Sequence, residues 1–348
     1  MRGEPDETRA ASISDGMFFV AALAAAPDTM RAAVITHCLG SPANFSVIVP
    51  QRVPVPTPKP NEVLIKVGGS SVNPCDWKFA EDPDGPPFAD FPYIGGWDVA
   101  GTVVAVGARV SGLAVGDRAW AMALGAYAEY ATAAHAARAP HNITLLEAGS
   151  LPLVGLTSLQ AARKAEAPWT AANHTTVVTS GSGGTGFTAI EIAKALGTTH
   201  VVTVTSAEHI AWVESLGADE VYDYHEGDVF SHLADDSVDF VYDNYGAKGA
   251  AAKAMRVLKP GGWLVYLDGK DGGLCHRPSC TPKAGVKQYS LWTNALDHAG
   301  LEQLTQLVDA GQLRPYVQQS FGLSEVGAAF NVSMGGQVVG KLSIDNTR

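Results

Sequence analysis

The strongest chemical signal in the chain is a run of small residues, Ser180-Gly181-Ser182-Gly183-Gly184-Thr185-Gly186, which places glycines in a G-x-G-x-x-G pattern at 181, 183 and 186. In that pattern the first glycine permits a tight turn. The second lets backbone approach a pyrophosphate, and the third lets a helix pack closely on a strand. An apolar strand, Thr175–Ser180, leads into the run, and FTAIEIAKALG leads out of it with apolar residues at Phe187, Ile190, Ala193 and Leu196. That spacing is close to the helical period of about 3.6 residues. Strand before and helix after fit a dinucleotide site better than a flexible linker. The pyrophosphate is expected at the helix N-terminus, where free N–H groups and the helix dipole attract anions. Ser180, Gly184 and Thr185 complete the expected cradle.

The ribose end of such a site has its own signature. A carboxylate closing the second strand, roughly 20 residues on, bonds the 2′-hydroxyl of NAD. Here the second strand ends Val204-Thr205-Ser206, and Glu208 follows two residues later. The Ser206 hydroxyl with a donor from His209 suits a 2′-phosphate, so the cofactor is read as NADPH. His209 also reads as an ordinary surface helix residue. Asn244 and Gly246 follow the strand Phe240–Asp243, and Gly269 follows Trp263–Asp268. Open α/β sheets bind ligands at such carboxyl ends.

The elements that must position these residues fall into two textures. From Met30 to about Ser150, short apolar runs such as Glu62–Val67, Val99–Gly107 and Ala126–Thr132 are broken by Pro and Gly. This predicts a β-rich, barrel-like or sandwich-like domain. After Leu151, strands at Thr175–Ser180, His200–Thr205, Asp239–Asp243 and Trp263–Asp268 alternate with helical segments that Gly197 and Gly217 can end. Alternation of this kind predicts a parallel sheet with right-handed crossovers. LKPGG (Leu258–Gly262) reads as a turn. A helix is expected over Leu296–Ala310, followed by β-like segments that extend through Phe330 and close with Gly340–Ile344. The expected organisation is an extension at 1–29, a β-rich domain at 30–150 with 313–348, and a cofactor domain at 151–312.

Composition narrows the partners. The net charge of −11 disfavours nucleic acid, whose phosphates an acidic surface repels. No apolar run approaches the ~18 residues of a membrane span. Met17–Ala26 is apolar but follows Glu4, Asp6, Glu7 and Asp15, unlike a secretory leader. Four cysteines, Cys38, Cys75, Cys275 and Cys280, are too few for a disulfide framework, so a reducing, cytoplasmic setting is expected. Cys275-His276 with Cys280 is a conceivable metal cluster, but it lacks a matched partner pair and is read as incidental.

Seven stretches recur in one family's order: SSVNPCDWK (Ser70–Lys78), FPYIGGWDVAGTVVAVG (Phe91–Gly107), VGDRAWA (Val115–Ala121), LVGLTSLQA (Leu153–Ala161), TSGSGGTGFTAIEIAKALG (Thr179–Gly197), SLGADEVYDY (Ser215–Tyr224) and GKLSI. On these the chain resembles the zinc-free medium-chain dehydrogenase/reductases, in the branch of quinone oxidoreductases and enoyl or alkenal reductases. The resemblance implies a GroES-like catalytic domain, a Rossmann cofactor domain and an active site between them. It also implies hydride transfer from NADPH to an activated C=C or a quinone, and commonly a homodimer. Where the similar zinc alcohol dehydrogenases carry ligands, this chain has Asn73, Trp97-Asp98 and Val154, so no catalytic metal is expected.

By the same resemblance Asn73 and Asp76 match the motif beside the nicotinamide. Asn73 has donor and acceptor to orient the carboxamide, the ribose or the substrate carbonyl. Asp76 either takes part directly or ties backbone in the turn after Pro74. Lys78 either stabilises an enolate oxygen or is a surface lysine. Thr157 matches a position near the nicotinamide ribose, and Tyr224 a tyrosine beside the 2′-phosphate. Lys341 resembles a lysine near the cleft. Tyr93 reads either as an acid or as a packed ring. Two other readings compete: a non-catalytic NADPH-binding protein, and a Rossmann methyltransferase, which leaves the β-rich front half unexplained.

Overall fold

A computed structural model describes residues 26–267, 275 and 280–348. Gly269 and most of the 1–29 extension lie outside them. The second half of the chain builds a six-stranded sheet in which every pairing is parallel. Its strands, in chain order, are Thr175–Val178, His200–Thr205, Glu220–Asp223, Val238–Asp243, Leu258–Leu267 and Lys287–Leu291. Numbered in that order they lie 3-2-1-4-5-6, the arrangement of a dinucleotide-binding sheet. The order reverses between Thr175–Val178 and Val238–Asp243, which opens a crevice at their carboxyl ends. Gly197 and Gly217 follow helices and have φ of +100° and +105°, so both stop their helices through the left-handed conformation.

The first half forms a three-stranded and a seven-stranded sheet among the described residues. In the larger one Val63–Val72 pairs antiparallel with Asp98–Val106, and the C-terminal strand Lys341–Asp345 pairs with the far end of Val63–Val72. The last strand therefore crosses back from the parallel sheet to the β-rich half. One apolar core spans both halves: Ala100, Trp120 and Ala137 pack with Leu156, Phe187 and Ile190. The two lobes share buried surface, which fixes the cleft between them.

Three local expectations are corrected. Leu258–Gly262 is not a free turn but the start of the strand Leu258–Leu267. Val326–Met334 is an α-helix rather than β-structure, burying Val326, Ala329 and Phe330 on one side. Cys275 and Cys280, read as incidental in a reducing setting, form a disulfide five residues apart, while Cys38 and Cys75 are free. No helix among the described residues is long and apolar enough to cross a membrane.

Candidate active site

The glycine loop sits at the crevice, and each glycine has a separate physical reason. At Gly186 a Cβ would lie 1.8 Å from the Ser180 carbonyl oxygen, so helix Gly184–Ala195 packs against its own lead-in strand only because this residue has no side chain. At Gly183 a Cβ would meet nothing nearer than Ser180 Oγ at 3.7 Å. That face is open, as backbone approach by a pyrophosphate requires. Gly181 was expected to serve a tight turn. The need proves to be space, since a Cβ would strike Thr203 Oγ1 at 2.7 Å. The residues therefore fit a dinucleotide cradle.

Asn244 holds this loop in shape. Its Oδ1 accepts the Ser180 N–H (3.0 Å), and its Nδ2 donates to the Ser180 carbonyl (2.9 Å) and to Thr185 Oγ1 (3.2 Å). Its side chain is thus occupied by the loop, and Gly246 turns the chain beside it by donating to Asp243. Thr157 lies in helix Pro152–Lys164, where its hydroxyl meets the Leu153 carbonyl and Thr293 Oγ1. At the far end of the loop, Tyr224 N–H donates to the Thr205 carbonyl, which brings Tyr224 beside Ser206. Tyr224 is exposed and packs on the His225 ring. The His209 ring lies 3.3 Å from the Glu208 carboxylate. Hydroxyl, imidazole and phenol thus share one open rim.

The second group of residues is closed. Pro74 starts helix Pro74–Glu81, and the Asp76 carboxylate accepts the Asn73 N–H at 2.7 Å, capping it. Asn73 is 1% exposed. Its Nδ2 donates to Asp98 Oδ2 (2.7 Å), and its Oδ1 accepts from the Lys341 ammonium. Lys341 is 3% exposed, also donates to the Val72 carbonyl (3.0 Å), and lies 3.8 Å from Asp98. Asp98, fully buried, further accepts Ser71 Oγ–H and the Leu153 N–H, both at 2.6 Å. A buried cation and carboxylate thus hold both ends of the Asn73 amide. Burial pushes the Lys341 pKa down, opposed by Asp98 and Asp76.

Asp76 has an unusual environment. Tyr127 donates to its Oδ2 at 2.8 Å, but its Oδ1 is buried and finds no hydrogen-bond partner among the described residues. Burial raises its pKa to about 7, with the Asn73 N–H and Tyr127 pulling the other way and Asp98 adding to the rise. Both open readings of Asp76 meet here, since it caps the helix and sits within the Asn73 cluster. The Cys75 thiol is pushed up by burial, which makes it a poor nucleophile. Tyr93 packs on Phe91 with its hydroxyl pKa raised by burial, as befits a packed ring. Lys78 stays outside the buried cluster: it is exposed, with its ammonium 5.8 Å from the Trp77 ring centroid.

One contact ties the two groups together. Gly340 N–H donates to the Ser182 carbonyl at 2.8 Å, and Gly340 bridges to Gly183. The next residue is Lys341. Adjacent residues thus clip the glycine loop and hold the Asn73 amide. Two residues of the buried cluster were underread from sequence. Asp98 was noted only as a neighbour of Trp97, and Lys341 had no assigned role. A lone carboxylate and a lone lysine far apart in sequence carry no spacing signal.

Comparison with known proteins agrees with this fold. Residues 59–145 match the alcohol dehydrogenase GroES-like domain, and 216–343 match the zinc-binding dehydrogenase family. A chloroplast envelope quinone oxidoreductase homologue of Arabidopsis thaliana is 32% identical, covering 84% of this chain and 92% of its own. An NADPH-dependent alkenal/one oxidoreductase of the same plant is 30% identical, covering 84% of this chain and 74% of its own. The structure of the quinone oxidoreductase from Coxiella burnetii superposes with a TM-score of 0.76 at 27% identity, covering 91% of this chain and 99% of that one. Among the described residues, no group of three His, Cys, Asp or Glu side chains is placed to hold a metal ion.

Proposed function

The chain belongs to the medium-chain dehydrogenase/reductases, in their quinone oxidoreductase and alkenal reductase branch, and from that premise we propose that it reduces a quinone or an enone with NADPH and without zinc. The observation that carries this reading is the clip at Gly340 and Lys341, which joins a dinucleotide loop to a buried polar cluster. Gly181, Gly183, Gly184, Thr185 and Gly186 would hold the pyrophosphate at the helix N-terminus. When bound, the reduced nicotinamide supplies a hydride.

An acceptor that gains hydride at its β-carbon places negative charge on its carbonyl oxygen. Asn73 keeps one N–H beyond the bond to Asp98, and the Lys341 cation on its Oδ1 polarises that N–H toward a developing oxyanion. Fixed dipoles in a water-poor site need little reorganisation. Asp98 keeps the cation in place. Protonation of the α-carbon comes from solvent.

Ser206, His209 and Tyr224 favour the 2′-phosphate of NADPH over the bare hydroxyl of NADH. Two carboxylates of the rim oppose it: Glu208, exposed two residues after Ser206, and Asp223, which meets the His225 ring and accepts the Ala207 N–H. A cytoplasmic homodimer is part of the same proposal, which cell fractionation and size exclusion check.

The test is NADPH oxidation, followed at 340 nm, with a quinone, an enone, an alkenal and a simple aldehyde, with and without chelator. Turnover of a conjugated acceptor that resists the chelator is expected. Activity on the simple aldehyde alone, lost with chelator, would overturn the reading. Binding of NADPH without turnover on any acceptor would favour a non-catalytic protein.

A further inference from the structure

Four aromatic rings cross the cleft from one lobe to the other. Phe79 lies on the helix that Asn73 opens. Its ring meets Phe88 edge-on at 4.9 Å, and Phe88 meets Trp97 edge-on at 4.9 Å. Trp97 immediately precedes Asp98, the carboxylate that holds Asn73. From the other lobe Trp292 approaches Phe79 at 6.4 Å. Trp292 follows the last parallel strand and precedes Thr293, whose hydroxyl meets Thr157. The rings are thus tied to the polar cluster by Trp97, next to Asp98, and by Phe79, on the helix that Asn73 opens.

Trp292 is 71% exposed and Phe88 38% exposed, so large apolar faces stand open beside buried polar groups. Exposed aromatics grouped next to a site mark a ligand surface. Edge-to-face rings leave indole and phenyl faces free for a flat guest, and their electron-rich faces favour an electron-poor ring.

Charge narrows the guest further. The segment that carries Phe88 also carries Glu81, Asp82, Asp84 and Asp90. Asp82, Asp84 and Asp90 are exposed. Against them stands the Lys78 ammonium on the same helix as Phe79. A guest with several phosphates, such as a coenzyme A thioester, would meet repulsion there.

Resting on the reductase reading above, we propose that the acceptor is an uncharged, planar molecule of two fused rings, one of them an electron-poor quinone ring, of the naphthoquinone class, and that Trp292 and Phe88 select it. Such a quinone takes up the two electrons of the hydride and, with one proton from solvent, becomes the hydroquinone. NADPH becomes NADP⁺. A short aliphatic alkenal offers no face to this wall and is the poorer guest.

The experiment measures kcat/KM for 1,4-naphthoquinone, 2-pentenal and a short enoyl coenzyme A thioester in the wild-type protein, Trp292→Ala and Phe88→Ala. The expected result is a preference for the naphthoquinone in the wild type. The naphthoquinone-to-pentenal ratio should fall about tenfold in Trp292→Ala and severalfold in Phe88→Ala, in keeping with the worth of one aromatic contact. Trp292 is exposed, so its removal leaves the core intact, and circular dichroism checks this. A wild-type preference for pentenal or the thioester, or a ratio unchanged in both variants, overturns this inference alone. No turnover with any acceptor, with NADPH still bound, overturns the reductase reading and this inference with it.

Discussion

The cluster around Asp98 and the rim at Ser206 are both polar, yet they are built in opposite ways. In the cluster Asn73, Asp98 and Lys341 are almost wholly buried, and their polar atoms meet one another. At the rim Tyr224 is exposed, and the His209 ring faces a carboxylate on its own turn. The difference assigns different tasks. A buried ion pair is costly to form and costlier to break, so it holds one geometry. An exposed rim is screened by solvent and salt, so it can tune which cofactor is preferred but cannot fix a reacting atom.

The sharpest way to break this contrast is Asp98→Ala. It leaves the Lys341 cation buried without its carboxylate and removes the acceptor of Ser71, Asn73 and Leu153. Losing one partner of a buried pair costs about 3–5 kcal/mol, so a large fall in the denaturant midpoint is expected. A change under about 1 kcal/mol, the size of a surface pair, would erase the contrast.

The glycine loop gives the next largest effect, and it separates packing from binding. Gly186→Ala puts a methyl into the Ser180 carbonyl and should destabilise the protein by about 1–3 kcal/mol while weakening NADPH binding. Gly183→Ala meets no protein atom closer than 3.7 Å. Its thermal midpoint should stay near the wild type while NADPH affinity, read by fluorescence titration, drops about tenfold, or roughly 1.4 kcal/mol. Equal effects on stability from both variants would remove the distinction.

A pH-dependent effect follows from Asp76. Its proton is held more tightly in the folded state than in the unfolded chain, because burial raises its pKa to about 7. The folded state therefore binds more protons between the ordinary carboxyl range and about pH 7, and Asp76's contribution makes stability fall as pH rises through that window. The slope is at most about 1.4 kcal/mol per pH unit. Denaturation midpoints measured across the window should show a flatter dependence in Asp76→Asn, and an unchanged slope would place the proton elsewhere. The smallest effect belongs to the rim. His209→Ala should shift the NADPH-to-NADH preference only twofold to fivefold, the scale of about 0.5–1 kcal/mol for an exposed charge contact. A hundredfold shift would mean that the rim is far more closed when occupied.

These two regions also differ in how readily sequence reveals them. The glycine loop is contiguous, and its spacing together with the strand before it and the helix after it located it, although Gly181 answers to Thr203 on the neighbouring strand. The parallel sheet likewise followed from alternation of β and α segments, but its strand order came only from the structure. The cluster is assembled from residues at 71–76, 98, 127 and 341, brought together by antiparallel pairing that no local pattern encodes. Asn73 and Asp76 were found only by resemblance, and Asp98 and Lys341 gained their roles only once the last strand was seen beside Val63–Val72. The helix Val326–Met334 was misread because it was taken together with the strand Val317–Gly322 before it, although its buried Val326, Ala329 and Phe330 stand at helical spacing. The aromatic wall draws one ring each from four separate places, and no motif announces it.

The central claim is metal-free hydride delivery to a conjugated acceptor. A single turnover with NADPH deuterated at the transferring position of C4, a diaryl enone and a chelator tests it most directly. The account predicts one deuterium on the β-carbon of a saturated ketone, formed at a rate the chelator does not alter. Deuterium on the carbinol carbon of an allylic alcohol, with the chelator stopping the reaction, would contradict it.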